Sequence, residues 1–142
     1  MADLRAVLER ARTVAVVGIS SDPAKPSHRV PRQLQAAGFR IIPVHPSAEE
    51  LLGEKAYHRL ADIPEPIDVV EVFRPPEEAP GIAREAVAAG AGALWLQLGL
   101  RSEEAREIAE SAGLDYVEDH CMGIEQRRYR ITKARLERGR KD

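Results

Sequence analysis

One stretch near the start of the chain constrains the fold most: a short β-branched run that stops at a glycine and enters a polar loop. The run is residues 13–17, the glycine is Gly18, and the loop extends to Pro23. A helix is expected after it, at about residues 31–37. This strand, turn and helix form the first part of a nucleotide-type phosphate site, because helix N-termini attract anions. Only one of the three spaced glycines of the dinucleotide fingerprint is present, which argues against an ordinary nicotinamide enzyme.

Apolar strands alternate with helical segments along the rest of the chain. Strands are predicted at residues 13–17, 41–44, 67–73, 93–96 and 114–118. This alternation indicates right-handed βαβ units and a parallel sheet. We therefore predict a single-domain, Rossmann-like α/β fold with a doubly wound, five-stranded, mainly parallel sheet and helices on both faces. The expected domain spans residues 1–142, with a core at about 13–125, an N-terminal helix at about 3–12 and a basic tail at about 126–142.

Composition argues against several classes of protein. A net charge of -2 gives no electrostatic reason to expect a nucleic-acid or membrane partner. The single cysteine, Cys121, rules out an internal disulfide framework, and the histidines lack metal-ligand spacing. No apolar run approaches the ~20 residues that span a bilayer, and the first residues lack a signal-peptide core. We expect a cytoplasmic protein without a metal site.

Ligands of doubly wound sheets bind beyond the carboxyl ends of the strands. The candidate binding residues at those ends are Gly18, Ile19, Ser20, Ser21, Lys25, Ser27 and Arg29 after the first strand, Val44, His45 and Pro46 after the second, Phe73, Arg74 and Pro75 after the third, and Gln97 after the fourth. The chain has no serine nucleophile elbow and no Walker loop, so no catalytic residue is predicted.

The first and third of these loops carry groups that suit a phosphate. Gly18 permits a tight turn and close backbone approach, and the serine hydroxyls, with Lys25 or Arg29, supply donors and positive charge. Arg74 stands where a strand meets a helix N-terminus and can hold a phosphate with two parallel hydrogen bonds. The alternative for Arg74 is a surface ion pair with Glu77 or Glu78.

The residue after the second strand distinguishes between two kinds of nucleotide site. An NAD site usually carries an acidic residue there, which binds the ribose hydroxyls. This chain carries His45 instead, between Val44 and Pro46. The segment can form an apolar slot for a purine with His45 at its mouth; the alternative is a turn histidine that contacts no ligand.

Two further residues near the strand ends are assigned by their spacing. Trp95 and Gln97 lie two apart and share one side of a strand, so we expect Trp95 in the core and Gln97 near the ligand. Cys121 follows the fifth strand beside His120, but neighbouring side chains of a strand point to opposite faces. We therefore predict a slow-reacting thiol and not a catalytic nucleophile.

An ordered series of short motifs resembles a known family, the small stand-alone CoA-binding proteins. Their Rossmann-like domain is similar to the N-terminal CoA-binding domain of the succinyl-CoA synthetase alpha subunit. The matching stretches are residues 16–20, 26–30, 42–46, 53–55, 62–64, 68–74, 90–99 and 121–125. Two residues depart from the family pattern: His45 stands where relatives usually have asparagine, and Pro31 falls in a helix start that usually lacks proline.

The resemblance implies that the phosphates and adenosine of coenzyme A lie over the first loop, the end of the second strand and the turn after the third. It carries binding roles to Gly18, Ser20, Val44, Pro46, Phe73, Arg74 and Pro75, and more loosely to Lys25 and Ser27. Nothing in the chain resembles the phosphohistidine domain of the synthetase, so ligase chemistry is not implied.

Three hypotheses about function follow from the residues and the resemblance. The first is a protein that binds CoA or an acyl-CoA and has no complete catalytic apparatus of its own. The second is an NAD(P)-binding oxidoreductase or redox sensor, in which His45 or Arg74 handles a ribose phosphate. The third is an interaction subunit whose nucleotide site is vestigial.

Overall fold

The computed structural model describes residues 1–134. The strands in that range are β1 Thr13–Val17, β2 Arg40–Val44, β3 Glu50–Leu51, β4 Glu54–Lys55, β5 Val69–Val72, β6 Ala93–Leu96 and β7 Asp115–Val117. The helices are α1 Leu4–Arg10, α2 Pro26–Ala36, α3 Ala79–Ala88, α4 Glu103–Ser111 and α5 Met122–Arg128. Short 3-10 turns occur at Leu60–Asp62 and Pro76–Glu78.

Five strands form one parallel sheet in the order β2-β1-β5-β6-β7. The chain steps from β1 to β2 in one direction and then builds β5, β6 and β7 in the other. The strand order therefore reverses between β1 and β5, which is where ligands bind in open α/β sheets. The predicted doubly wound, five-stranded parallel sheet is confirmed.

Helices cover both faces of this sheet. On one face α1, α2 and α5 pack over strand residues such as Val14, Val16 and Trp95. On the other face α3 and α4 pack over Ala15 and Val70, among others. Every residue of β5 and β6 is buried, as expected for strands in the middle of a parallel sheet.

The start of α2 differs from the sequence prediction. A helix start near Pro31 is wrong, because α2 begins at Pro26 and holds Pro31 inside it. Pro26 suits the first helical turn, where its missing N–H is not needed. Pro31 also lacks an N–H, so it leaves the carbonyl of Ser27, four residues earlier, without its helical donor. That carbonyl accepts a hydrogen bond from the backbone N–H of Ser20 instead, at 3.2 Å.

Residues 47–66 contain a structure that the sequence analysis did not predict. There β3 and β4 form an antiparallel hairpin, and the chain then runs beside β2 through a bridge between Val44 and Tyr57. Arg40 holds this region to the sheet: it donates to Glu65 at 2.7 Å and to Glu54 at 3.0 Å. The two glutamates raise the pKa of Arg40, chiefly through the hydrogen bond to Glu65.

The chain after the last strand is described only in part. The predicted basic tail at 126–142 overlaps α5 and continues to Ala134, and residues 135–142 lie outside the described range. Within residues 1–134, no helix has both the length and the apolar character needed to cross a membrane.

Candidate functional site

The carboxyl ends of the three strands around the order reversal are level with one another. Val17 of β1 pairs with Val44 of β2 and with Val72 of β5. The next residues along these strands therefore begin three adjacent loops at the same height: Gly18, His45 and Phe73. The structure thus brings the first three predicted groups of site residues to one edge of the sheet.

The first and third loops contact each other directly at Gly18. This glycine has a φ of +90°, which residues with a side chain rarely adopt. A Cβ added there would lie 2.9 Å from Cδ of Arg74 and 3.1 Å from the carbonyl carbon of Phe73. Gly18 is therefore needed both for its backbone conformation and for the close approach of the Arg74 stem.

The loop after Gly18 is closed by its own hydrogen bonds. The backbone N–H of Ser20 donates to the Ser27 carbonyl, and Nδ1 of His28 donates to the Ser20 carbonyl at 2.8 Å. The Ser20 hydroxyl oxygen accepts from the N–H of Asp22 at 3.0 Å, so its own hydrogen remains a donor. His28 was not among the predicted site residues, although it stands between Ser27 and Arg29 in one of the quoted motifs.

The other predicted residues of this first group differ in exposure. Ile19 is buried in the core beneath α1, α2 and α5, so only its backbone lies at the loop. Ser21, Lys25 and Arg29 are exposed. The Arg29 guanidinium donates to the carbonyl of Ala24, which directs this cation onto the loop itself.

Arg74 is held by an acidic neighbour. Its Nε and Nη2 donate to the two carboxylate oxygens of Glu78 at 3.1 and 2.7 Å. This hydrogen bonding raises the pKa of Arg74 and lowers the pKa of Glu78. Both side chains remain about half exposed. The predicted alternative of an ion pair with Glu78 is therefore present, at the same place as the contact with Gly18.

The turn after β2 is organised by the ring of His45. Its Nδ1 accepts hydrogen bonds from the backbone N–H groups of Ser47 at 3.1 Å and Ala48 at 2.9 Å. An asparagine side-chain oxygen commonly makes such bonds in turns, and the imidazole nitrogen makes them here. Val44 is buried and Pro46 is exposed, which gives this edge one inner and one outer apolar residue.

Gln97 lies level with Phe73 but faces the interior. It is only 5% exposed, and its Oε1 accepts from the backbone N–H of Met122 at 3.0 Å. Trp95, on the same side of β6, is fully buried as predicted. Gln97 stands two strands away from β1, so the structure does not bring it to the first loop. Its observed contact joins β6 to the start of α5.

The loops after β6 and β7 are joined by Asp119. Its carboxylate accepts from the backbone N–H of Gly99 at 2.7 Å and from Arg101 at 2.6 Å, and these bonds lower its pKa. The neighbouring Cys121 is partly exposed. His120 turns its Nδ1 to the carbonyl of Glu118 at 2.8 Å. Within residues 1–134, no group of three or more His, Cys, Asp or Glu side chains has an arrangement that could hold a metal ion.

Glu71, the most unusual residue near the site, was not predicted from the sequence. It lies in the central strand β5, two residues before Phe73, and is fully buried. Neither carboxylate oxygen has a hydrogen-bond partner in the described part of the chain. Burial raises the pKa of Glu71 to about 8, so it holds its proton at neutral pH. A charged residue inside an apolar run was the available signal, because central parallel strands are usually apolar throughout.

A separate cleft lies at the opposite, amino edge of the sheet. Its volume is about 190 Å³, and its polar lining consists mainly of Arg10, Asp68 and Asp115. Arg10 pairs with Asp115, and Asp68 accepts from the N–H groups of Arg12 and Thr13 at 2.9 Å each. These groups bond one another and the start of β1, so the carboxyl edge of the sheet remains the candidate site.

Comparison with known proteins places the matched region over the whole sheet. A family model described as a CoA binding domain matches residues 12–127. The Bacillus subtilis protein YneT is 41% identical over 123 residues, which cover 87% of this chain and 91% of that protein. A solved structure from Thermus thermophilus, ID.343, has 42% identity and a TM-score of 0.84, covering 89% of this chain and 96% of that one.

Similarity also extends to part of much longer ligases. The ADP-forming acetate-CoA ligase II of Archaeoglobus fulgidus is 33% identical over 102 residues, covering 70% of this chain but 15% of that enzyme. The dinucleotide-forming acetyl-coenzyme A synthetase 1 of Ca. Korarchaeum cryptofilum, solved with phosphate and ADP, has 28% identity and a TM-score of 0.70. The match covers 84% of this chain and 28% of that synthetase.

The contact at Gly18 predicts the effect of adding one methyl group. We expect Gly18→Ala to lower the free energy of unfolding by about 1–3 kcal/mol, because it strains the backbone and collides with Arg74. Urea denaturation measures the change. Gly81→Ala is the matched control: Gly81 lies in α3 with open space around its Cα, so alanine there should be neutral or stabilising. Equal stability of the two variants would show that neither the backbone conformation nor the approach of Arg74 requires a glycine at position 18.

Glu71 predicts a specific dependence of stability on pH. Its pKa is about 8 in the fold against an ordinary value of 4.5, so the folded state binds the extra proton. The stability that this proton contributes is complete below about pH 4.5 and is lost as pH rises through 8, on the order of 5 kcal/mol in all. Glu71→Gln cannot titrate and should therefore gain stability relative to the wild type between about pH 5 and 9.

Denaturant titrations across that pH range measure this difference, with the exposed Glu85→Gln as the control. The curve of the control should stay parallel to that of the wild type. If the Glu71→Gln curve is parallel as well, then Glu71 does not hold a proton in the folded protein.

Proposed function

Since the chain belongs to the family of CoA-binding domains, we propose that it binds coenzyme A or an acyl-CoA at the carboxyl ends of β1, β2 and β5. The observation that carries this proposal is the contact between Gly18 and Arg74 where the strand order reverses. A glycine backbone and an arginine fork at that point match the needs of a pyrophosphate, which requires close approach and positive charge. A cytoplasmic location belongs to the same proposal.

The described contacts support a division of the ligand between the loops. The hydroxyl hydrogen of Ser20 and the guanidinium of Arg74 would face the phosphates, with the exposed Lys25 near them. The segment from Val44 to Pro46 would receive the adenosine. Pro75 begins the turn that leads into α3, so it sets the direction in which Arg74 leaves the sheet.

The proposal includes no reaction. The carboxyl edge of β1, β2 and β5 carries no nucleophile paired with a base in the described structure, and the match to the long ligases extends over only a small part of them. Coenzyme A is thus proposed as a bound ligand and not as a substrate that this chain converts. The chain would hold it for a partner protein that carries out the reaction. An NAD(P)-linked function would require the same edge to prefer a nicotinamide dinucleotide.

Titration of the purified protein with CoA, acetyl-CoA, NAD and NADP tests this function. We expect CoA and acetyl-CoA to bind and to stabilise the fold, by about 2.7 kcal/mol at 100 times the dissociation constant. Calorimetry and thermal denaturation provide the two readouts. A rise in melting temperature with NADP, and none with CoA or acetyl-CoA, would favour the oxidoreductase hypothesis. No response to any of them would favour a vestigial site.

In the same titrations, Arg74→Ala should weaken CoA binding by about 1.5–3 kcal/mol, the usual value of a hydrogen bond to a charged group. Arg84→Ala is the matched control, because Arg84 is also exposed and also paired with a glutamate, but on α3 and facing α4. The control should leave CoA affinity unchanged. Equal affinities for the wild type and Arg74→Ala would remove Arg74 from the site.

Glu78 should compete with the ligand for Arg74. Its carboxylate occupies two donors of the guanidinium, so a phosphate must displace it or share them. We expect Glu78→Gln to tighten CoA binding severalfold, measured by calorimetry. Glu77→Gln removes the same charge one residue earlier, where no ion pair exists in the described structure, and should have a smaller effect. In an Arg74→Ala background the gain from Glu78→Gln should disappear, because no guanidinium is left for Glu78 and the ligand to compete for. The double mutant therefore measures the coupling between the two residues.

A further inference from the structure

The two ring nitrogens of His45 differ in their hydrogen bonding within the described residues. Nδ1 accepts two backbone N–H groups, so it carries no hydrogen, and the proton of the neutral ring lies on Nε2. No hydrogen bond involves Nε2 in residues 1–134. The two nitrogens lie on different sides of the ring, so Nε2–H is directed away from the turn it helps to close.

The backbone of His45 is fixed as firmly as its ring. Its N–H donates to the Tyr57 carbonyl at 2.9 Å, and its position follows directly from the pairing of Val17 with Val44. The residue is half-buried and stands level with Gly18, on the opposite side of β1 from Arg74. The free Nε2–H is therefore a preorganised donor beside the first loop.

A second positively charged group stacks on the residue that pairs with the last position of β2. The ammonium of Lys55 sits 5.1 Å from the centre of the Tyr57 ring, and Tyr57 bridges to Val44. Glu50 is opposite Lys55 in the hairpin, but the two form no ion pair in the described structure. The end of β2 thus presents a hydrogen-bond donor, a cation lies over the ring of the residue paired with its last position, and the residue that follows the strand is not an acid.

This edge has a known chemical role in doubly wound folds. The residue at the end of the second strand contacts the ribose of the nucleotide. An acidic residue accepts hydrogen bonds from the free hydroxyls of the ribose, whereas a basic residue suits a ribose that carries a phosphate. Coenzyme A carries a phosphate on the ribose 3′ oxygen, and dephospho-CoA has a free hydroxyl there. The two ligands are otherwise identical, so the difference between their affinities measures the contact with the 3′-phosphate alone.

We propose that the Nε2–H of His45, assisted by the Lys55 ammonium, recognises the ribose 3′-phosphate and makes the site select CoA over dephospho-CoA. The inference rests on the proposed function and adds its specificity-determining residue. His45 closes the turn with Nδ1 and donates to the 3′-phosphate of the ligand from Nε2.

The test compares CoA with dephospho-CoA in the wild type, His45→Asn and His45→Asp. Both replacements keep a side-chain oxygen that can accept the turn N–H groups, but only aspartate places a negative charge against the phosphate. We expect the wild type to prefer CoA by about tenfold or more, as for one charge-assisted hydrogen bond. His45→Asn, with a shorter donor, should keep a reduced preference. His45→Asp should lose it, because its carboxylate repels the 3′-phosphate and can accept a hydrogen bond from the free 3′ hydroxyl of dephospho-CoA. Lys55→Ala should reduce the preference, and added salt should weaken CoA binding more than dephospho-CoA binding.

Calorimetric dissociation constants decide between the outcomes, and melting temperatures confirm that each variant is folded. Equal affinity of the wild type for both ligands would overturn the inference while leaving CoA binding intact. Equal losses for both ligands in His45→Asp would overturn it as well, because His45 would then act only through the turn. If His45→Asp does not fold, an undiminished preference in both His45→Asn and Lys55→Ala overturns it. Binding of neither ligand to the wild type would reject the proposed function itself.

Discussion

The pairing of β1 with a parallel neighbour on each side is the constraint on which the rest of the structure depends. β1 holds β2 and β5 in register at once, so three loops begin at the same height on one edge. At the opposite end the Asp68 carboxylate accepts the N–H groups of Arg12 and Thr13 and fixes where β1 begins. A shift of one residue in either pairing would turn every side chain of that strand to the other face.

A missing hydrogen bond inside α2 gives the first loop its shape. Pro31 cannot donate to Ser27, and the released carbonyl accepts the N–H of Ser20. Pro31 is thus joined, through the Ser27 carbonyl, to the loop that the proposed phosphate site uses. His45 likewise closes its own turn with one ring nitrogen and leaves the other available at the same edge.

Much of the fold could be predicted because local pattern and tertiary structure agree. Ser102, a residue type typical of helix N-caps, caps α4 by accepting from the N–H of Ala105 at 3.1 Å, and Gly38 follows α2 with a φ of +101°. The hairpin of β3 and β4 was missed because two-residue strands are too short to show any periodicity. The start of α2 was misplaced because the rule for the residue before proline is a preference, and packing of the helix on the sheet outweighed it.

The sequence by itself determined where strands stop and which residues follow them, since β-branched runs, glycines and helix caps act over a few neighbouring residues. It placed Gly18, His45 and Arg74 at strand ends, but left the roles of His45 and Arg74 open. Only the tertiary structure decided that the stem of Arg74 lies against Gly18, that its fork meets Glu78, and that Glu71 is buried without a partner. Hydrogen-bond partners and burial depend on residues distant in the chain, so contacts between strands decide them and local sequence does not.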